Sequence, residues 1–242
     1  MQARRLPARH GLFWLVAGAR LYRSSTATLT SLTLAYLLVL LVSASLPLIG
    51  APLASLLRPF LVVMVANGCR VIARRSGPPP TPAELTAGLV AQRPQLLRLG
   101  GLYLVASLLA LMAWLLLGGG AGKEDMAASM AKLSLLALAV EMPFWFAPLL
   151  TAWGQVPATK SLFFSLVSVV RNWRAFLVYA MAVALVSSIV GGFLVGLSSA
   201  LPVPALATVL AVLAGLFLSF VLTPILMASI YLSYRDVFAD DV

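Results

Sequence analysis

Glu141 is the residue whose type and position point most directly to chemistry. It opens the stretch Glu141–Trp153, EMPFWFAPLLTAW, which carries no other charge. Hydropathy places it near the middle of a predicted membrane span, where an ionisable group is costly and usually faces the interior of a helix bundle. Two interpretations follow. Glu141 is a proton, cation or headgroup site, or it is a structural carboxylate that is protonated or paired with Arg58 or Arg70.

Three further polar residues lie in an earlier apolar run and belong to the same predicted intramembrane polar site. Asn67 and Arg70 are about one helical turn apart, so they could form a pocket with Glu141. Arg70 could equally reach the membrane interface through its long side chain. Arg58 precedes Pro59, and it either extends to the outer interface or contacts an anion.

Pro143 and Pro148 follow Glu141 within the same predicted span. A proline inside a helix removes one backbone hydrogen bond and kinks the helix. The freed carbonyl groups either line a cavity, as in the broken helices of transporters, or only shape the packing between helices. We therefore predict kinks at both prolines, which either expose carbonyl groups to a cavity or only shape the packing.

The residues that usually support metal or enzyme chemistry are scarce. His10 and Cys69 are the only histidine and the only cysteine, so the chain can assemble no zinc cluster and no intrachain disulfide. The sequence contains no phosphate loop, nucleophile elbow or dinucleotide fingerprint. We therefore predict no catalytic residue, no metal, no cofactor and no enzymatic activity.

The composition indicates that the bilayer is the solvent of most of the chain. Hydrophobic residues make up 62% of the 242 residues and charged residues only 10%, whereas soluble domains are about 45–50% apolar and about 25% charged. The predicted fold is an all-α, polytopic membrane bundle of six transmembrane helices with amphipathic helices on its cytoplasmic surface. The predicted spans are Leu29–Ile49, Leu53–Ile72, Leu99–Leu117, Leu133–Trp153, Ala175–Leu197 and Ala205–Leu226.

We predict one integral membrane domain over residues 1–242, in which surface segments alternate with pairs of spans. Its parts are an N-terminal interfacial helix (1–28), a first span pair (29–75), a cytoplasmic linker with a short helix (76–98), a second span pair (99–153), an amphipathic helix (154–174), a third span pair (175–230) and a cytoplasmic tail (231–242). Basic lead-ins that end at Arg23, Arg98 and Arg174 recur at offsets of 75 and 76 residues. A three-fold repeat of surface helix and two-span hairpin would explain this spacing, and so would chance similarity among apolar helices.

Local signals predict where two of the connections lie. Gly50-Ala51-Pro52 predicts the turn between the first two spans. Thr81-Pro82-Ala83-Glu84 has the spacing of a capping box with proline in the first helical position. We expect the short helix that starts there to run to Arg98 and to be interrupted at Pro94.

The net charge of +10 indicates a membrane surface rather than a nucleic acid, because the basic residues flank apolar runs. Fourteen of the 17 Lys and Arg residues, all except Arg58, Lys123 and Lys132, fall on the side that carries both termini. The positive-inside rule places that side in the cytoplasm. We predict contacts with anionic lipid headgroups at six of these residues: Arg20, Arg23, Arg98, Lys160, Arg171 and Arg174.

Two basic segments predict helices on the membrane surface. Residues 1–28 form either such a helix, which we favour, or a signal peptide cleaved at Ala17-Gly18-Ala19. In the segment at about 158–174, one side of the helical wheel is apolar, and the other is polar and carries Lys160, Ser161, Ser165, Ser168, Arg171 and Asn172. A helix that rests on a bilayer turns its apolar side toward the lipid.

Four stretches together resemble an uncharacterised family of bacterial inner-membrane proteins found mainly in betaproteobacteria. They are GLFWLVAGARLYRSS at 11–25, MPFWFAPLL at 142–150, the segment from KSLFFS to RNWRAFLVY at 160–179, and YLSYRDVF at 231–238. That family is distantly similar to the membrane domains attached to some glycerophosphodiester phosphodiesterases. The resemblance implies an inner-membrane location and a helix-bundle architecture, and it brings no reaction or substrate.

Two functions from different classes fit these observations. In the first, a non-enzymatic membrane protein engages lipid, or a membrane-protein partner, through its basic cytoplasmic face. In the second, a small permease or exporter uses Glu141 as its intramembrane ion or proton site. Small residues at Gly192, Gly196 and Gly215 predict close packing of the fifth and sixth spans or, alternatively, a homodimer interface.

Overall fold

The computed structural model describes residues 3–74, 77–117, 126–200 and 204–238. Within these ranges the chain forms helices and no strand, so the all-α prediction is confirmed. The helices are α1 (His10–Ser24), α2 (Thr26–Ala44), α3 (Gly50–Arg74), α4 (Pro82–Leu85), α5 (Arg93–Leu116), α6 (Met126–Phe144), α7 (Ala147–Ala152), α8 (Ala158–Arg171), α9 (Trp173–Ala200), α10 (Pro204–Phe217) and α11 (Thr223–Val237), with a π-helical segment at Leu218–Leu222.

Six stretches of the described chain are helical and apolar over a length that can cross a bilayer. A helix satisfies its own backbone hydrogen bonds, which is what hydrocarbon surroundings require. The stretches are Thr26–Ala44, Gly50–Arg74, Arg93–Leu116, Ala131–Ala152, Trp173–Val190 and Thr208–Val237. The predicted number of spans is therefore confirmed, although several of their ends differ from the prediction.

The turn between α2 and α3 lies at residues 45–49, so the predicted turn at Gly50-Ala51-Pro52 is wrong. Leu48, in this turn, has a φ of 67° and a side chain that is 99% exposed. Gly50 is the first residue of α3, and a Cβ atom there would lie 2.6 Å from the carbonyl oxygen of Ala44. Glycine is used at this position for the close approach of two helix ends.

The capping box at α4 is confirmed, but the helix that follows is shorter than predicted. The Glu84 carboxylate accepts hydrogen bonds from the Thr81 amide at 2.8 Å and the Thr81 hydroxyl at 2.9 Å, and the Glu84 amide donates back to that hydroxyl at 3.3 Å. Helix α4 ends at Leu85. Pro94 lies in the first turn of α5, where its missing N–H costs nothing, so it begins a helix and does not interrupt one.

The fourth and sixth spans are interrupted just before a proline. The fourth breaks at Trp145-Phe146, so that Pro148 lies in the first turn of α7 and not inside a helix. Pro143 does lie inside α6, in its last turn. In the sixth span the π-helical segment precedes α11, and α11 continues to Val237. The predicted cytoplasmic tail at 231–242 is therefore helical up to Val237 and mostly buried over 231–238, and its last four residues lie outside the described residues.

Contacts divide the chain into two compact units. The first comprises Met1–Leu37, Val65–Leu85 and Arg171–Val242, and the second comprises Leu38–Met64 and Thr86–Val170.

In the first unit, α1 packs against α9 and α11. The buried face of α1 carries Trp14 between two glycines, Gly11 and Gly18. A Cβ atom on Gly18 would lie 2.8 Å from the Ile225 carbonyl oxygen of α11, and one on Gly11 would collide with the carbonyl of Ala175 in α9. The absence of side chains at these two positions lets α1 approach both neighbours closely.

Hydrogen bonds connect the two ends of the described chain within the first unit. The Trp14 indole Nε1 donates to Asp236 Oδ2 at 3.1 Å, and Arg235 forms an ion pair with the same carboxylate at 3.4 Å. The Arg4 amide donates to the Val237 carbonyl oxygen at 2.9 Å. The N-terminal segment and the end of α11 are therefore neighbours.

The glycines of the fifth and sixth spans do not mediate the predicted close packing. Gly192, Gly196 and Gly215 are exposed, and a Cβ atom on any of them would meet nothing within 4 Å. Helices α9 and α10 do contact each other, through other residues.

In the second unit, the serine side of α8 is buried and its apolar side is exposed. Ser161 and Ser165 are fully buried and Ser168 is 2% exposed, while Phe163 is 62% and Val170 is 55% exposed. The serine side therefore packs against protein and is not the face that meets headgroups or water.

The buried serines satisfy the backbone where the fourth span breaks. The Phe146 amide, at the break, donates to the Ser165 hydroxyl at 2.9 Å. That hydroxyl donates in turn to the Met142 carbonyl oxygen at 3.3 Å. The Thr151 hydroxyl of α7 donates to the Ser161 hydroxyl at 3.0 Å. Irregular backbone at membrane depth is tolerated only where protein groups satisfy it, as they do here.

In the spans other than α3, the buried residues that the structure describes concentrate toward one end. In α2, α5 and α9 they lie mainly in the N-terminal half, for example Leu29, Leu99 and Ala175, and in the fourth and sixth spans they lie in α7 and α11. The opposite halves expose apolar side chains, such as Leu109 in α5 and Ile189 in α9.

The predicted three-fold repeat has matching elements at two of its three positions. A single residue separates α1 from α2, and a single residue likewise separates α8 from α9. The middle position has no surface helix of that length, because residues 86–92 form turns. The repeat stays a prediction.

Candidate functional site

Glu141 forms a polar cluster with Arg58 and Tyr103 inside the second unit. Arg58 Nη2 lies 2.7 Å from Glu141 Oε2, and the Tyr103 hydroxyl donates to Glu141 Oε1 at 2.9 Å. The Arg58 guanidinium also lies over the Tyr103 ring, 4.2 Å from its centroid. Glu141 is therefore paired with Arg58, one of the two arginines that the sequence offered as partners, and Arg58 contacts this carboxylate rather than extending alone to the outer interface.

Three different spans supply the members of this cluster. Arg58 comes from α3, Tyr103 from α5 and Glu141 from α6. Pro59 follows Arg58 inside α3 and is itself buried. Tyr103 is held in turn by Phe144, whose ring meets it edge to face at a centroid distance of 5.0 Å. Each charge therefore has a partner, which is the arrangement that makes an ion pair tolerable in apolar surroundings.

A groove adjoins the cluster along α5 and α6. Its volume is about 260 Å³, and Tyr103 and Glu141 line one end of it. Trp114, on the same helix as Tyr103, also lines it, and the indole Nε1 of Trp114 is buried without a hydrogen-bond partner among the described residues. The groove thus offers one carboxylate edge, one phenol, one indole donor and the Ser107 hydroxyl within an otherwise apolar lining.

Asn67 and Arg70 belong to the first unit and have other neighbours there. The Asn67 side-chain amide donates to the Leu85 carbonyl oxygen at 2.9 Å, which fixes the chain after α4. Arg70 lies close enough to Tyr231 and Tyr234 to interact with them electrostatically. Of the four residues predicted to share an intramembrane polar site, the structure brings together Glu141 and Arg58.

The six residues predicted to contact lipid headgroups are all exposed. Arg20 and Arg23 lie on α1, Arg98 lies in the second turn of α5, Lys160 lies in the first turn of α8, and Arg171 and Arg174 flank the junction of α8 and α9. The Arg174 guanidinium lies over the ring of Trp173, 5.5 Å from its centroid. Their contacts with lipid stay a prediction.

Two residues of functional interest were not predicted from the sequence. Tyr103 gave no signal on its own, because one tyrosine in an apolar span looks like any packed aromatic residue. Asn172 was recognised only as part of a polar side, yet it is 2% exposed and joins the N-terminal segment to the start of α9. Its Oδ1 accepts from the Leu6 amide at 2.7 Å, and its Nδ2 donates to the Arg4 carbonyl oxygen at 2.9 Å.

The described residues include no cluster of side chains that could bind a metal ion. No group of three His, Cys, Asp or Glu side chains there is placed to hold an ion. Cys69 is buried and takes part in no disulfide.

Six apolar helices, two of which join in a partly buried ion pair, define a multi-pass, all-α membrane protein. The chain belongs to the same family as a probable inner membrane protein of Burkholderia thailandensis, to which it is 34% identical over 261 residues, covering 98% of this chain and 94% of that protein. No family model matches the chain, and no solved structure matches it. The relation to an inner-membrane family is thereby established, while the distant likeness to phosphodiesterase membrane domains stays a prediction.

Proposed function

We propose that this inner-membrane protein is not an enzyme and that it engages anionic lipids through basic surface helices, α1 and α8, on its cytoplasmic side. One observation carries the proposal. Helix α8 packs its small polar residues against protein and leaves its large apolar residues exposed, with cations at both of its ends.

The exposed face of α8 has the composition of a helix that lies in the headgroup region. Phe163 and Val170 are more than half exposed, and Phe164, Leu166 and Val167 are between 38% and 42% exposed. In water this face would be an unfavourable apolar patch, whereas in a bilayer it is buried among acyl chains. Lys160 and Arg171 mark its two ends, where they can reach phosphate groups.

Helix α1 shows the same division in the first unit. Trp14 is 1% exposed on the packed face, while Leu12, Phe13 and Val16 are 52%, 45% and 42% exposed. Arg20 and Arg23 are exposed near its C-terminal end. Helix α1 has a packed face and an exposed apolar face, so it can hold the protein to the lipid surface on one side and to its own core on the other.

The cytoplasmic orientation rests on charge distribution. Fourteen of the 17 Lys and Arg residues lie on the side of the termini, and such an excess marks the cytoplasmic side of multi-pass proteins. The inner leaflet is also the leaflet whose anionic lipids attract basic segments. A membrane-protein partner, or a second copy of the chain, remains an alternative occupant of the same face.

The lipid shell of the purified protein tests this proposal. Native nanodiscs cut from the membrane with a polymer should contain more phosphatidylglycerol, relative to phosphatidylethanolamine, than the bulk membrane. Replacing Lys160, Arg171 and Arg174 with Gln should bring that ratio toward the bulk value. Replacing Arg58 with Lys, inside the bundle, is the control and should leave the ratio unchanged. An unaltered ratio in the surface variant would refute the proposal.

The second candidate function is a small permease or exporter with Glu141 as its ion or proton site. The specific observation in its favour is the 260 Å³ groove that reaches the Glu141 carboxylate. In proteoliposomes with an imposed proton gradient, a coupled flux should disappear in Glu141→Gln. Thr159→Ala, at an exposed position of α8 outside the groove, should retain it. Flux that survives Glu141→Gln would exclude this role for Glu141.

A further inference from the structure

A cleft of about 420 Å³ lies in the first unit between residues 5–8 and the junction of α8 and α9. Three arginines, Arg5, Arg171 and Arg174, line it, and no acidic residue does so in the described chain. The remaining wall includes Asn172 and Trp173. The cleft is therefore a concave site with three positive charges and, among the residues that the structure describes, no carboxylate in its lining.

The wall that carries Arg5 is fixed by hydrogen bonds. Asn172 binds the backbone on both sides of Arg5, through the Arg4 carbonyl oxygen and the Leu6 amide, at 2.9 and 2.7 Å. The Arg4 amide is held by the Val237 carbonyl oxygen at 2.9 Å. The backbone on either side of Arg5 is thus fixed in advance against the opposite wall, which lowers the entropic cost of binding a ligand between them.

The position of the cleft suits a lipid more than a free ion. Trp173 is the first residue of a membrane-spanning helix and is 52% exposed, and tryptophan is enriched where the hydrocarbon region meets the headgroups. Arginine binds phosphate through paired N–H donors. The cleft therefore has phosphate-binding groups at headgroup level and an apolar indole beside them.

We propose that this cleft is a specific binding site for the phosphate group of an anionic phospholipid. The inference rests on the proposed lipid-engaging function and goes further, because it replaces a diffuse attraction with one saturable site made by Arg5, Arg171 and Arg174. The acyl chains extend past Trp173 into the bilayer. The positioning residue is Asn172, which acts through the segment that it holds.

Binding of a fluorescent short-chain phosphatidylglycerol to the full-length protein in neutral detergent, followed by anisotropy, tests the site. The wild-type protein should bind it saturably and should bind the matching phosphatidylcholine more weakly. Replacing Arg5, Arg171 and Arg174 together with Gln should weaken phosphatidylglycerol binding at least about tenfold. The matched control replaces Arg20, Arg23 and Lys160 with Gln, which removes the same charge elsewhere and should weaken binding less than about threefold.

If the triple cleft variant does not fold, Arg5→Gln alone should still weaken binding measurably, since Arg5 is exposed and lies outside every helix.

The outcomes separate this site from the broader function. Equal losses in both triple variants would overturn the cleft and leave the general attraction to anionic lipid intact. A wild-type protein that does not prefer phosphatidylglycerol would overturn both. Inorganic phosphate should compete only weakly, because it lacks acyl chains. If it bound as tightly as the lipid, the ligand would be a free anion and the lipid assignment would be wrong.

Discussion

The Ser165 hydroxyl accepts a hydrogen bond from the Phe146 amide at 2.9 Å, which joins α8 to the break between α6 and α7. Ser165→Ala would remove this hydrogen bond, and we expect a loss of about 1 kcal/mol in the free energy of unfolding. Thr159→Ala, at an exposed position of the same helix, should change it by about 0.5 kcal/mol or less. Chemical unfolding in mixed micelles measures both. Equal effects would mean that this bond does not stabilise the break.

The ion pair between Arg58 and Glu141 should show strong coupling in a double-mutant cycle. The two side chains are 27% and 35% exposed, so removing either partner leaves a partly buried charge unpaired, and Arg58→Leu and Glu141→Leu should each cost about 1–2 kcal/mol. The double variant should cost less than the sum of the two. Tyr103→Phe removes one hydrogen bond and should cost about 1 kcal/mol. Additive single effects would show that the pair contributes no coupling energy.

Gly18 should tolerate no side chain, whereas Gly101 should accept one. A Cβ atom on Gly18 would lie 2.8 Å from the Ile225 carbonyl oxygen, so Gly18→Ala must move α1 away from α11. Gly101 has nothing within 4 Å of its Cβ position, so Gly101→Ala should leave the unfolding midpoint unchanged or raise it. Thermal unfolding followed by intrinsic fluorescence compares the two. A Gly18→Ala variant as stable as the wild type would contradict the observed packing.

Accessibility of single cysteines should reveal the orientation in the membrane. Cys69 is completely buried, and Cys69→Ser provides the background. Leu48→Cys, in the almost fully exposed turn after α2, should react in intact cells with a thiol reagent that cannot cross the inner membrane. Lys160→Cys should react only after the inner membrane is permeabilised. The reverse pattern would place the termini in the periplasm and remove the proposed contact with the inner leaflet.

The number of spans could be predicted because it depends on long apolar runs, which hydropathy measures directly. The capping box at Thr81 and Glu84 was equally accessible, since both partners lie within four residues. The break at Trp145-Phe146 was not, because it depends on Ser165, a residue about twenty positions further along the chain. Pro148 indicated where the fourth span is irregular, but it predicted a kink within one helix, whereas the structure has two helices separated by a break.

Glu141 and Arg58 of the polar cluster could be identified as candidates from the sequence, but their pairing could not. A carboxylate within a span is stabilised by a cationic partner, so the sequence predicted that Glu141 could pair with an arginine, and Arg58 was one of the two candidates. Choosing between Arg58 and Arg70 needs the relative rotation of the helices, which composition does not encode. The side of α8 that packs inward was also hidden, because serines that bond to a neighbouring backbone look the same in sequence as serines that face water.

In the C-terminal halves of α2, α5 and α9, most of the side chains that the structure describes are covered little by the protein itself. Most of the dispersion contacts of residues such as Leu109 and Ile189 must come from acyl chains, whose length then becomes a structural variable. Thinner or thicker membranes will strain these half-helices while the packed ends stay as they are. The host's fatty-acid composition therefore acts on this protein much as a core substitution acts on a soluble one.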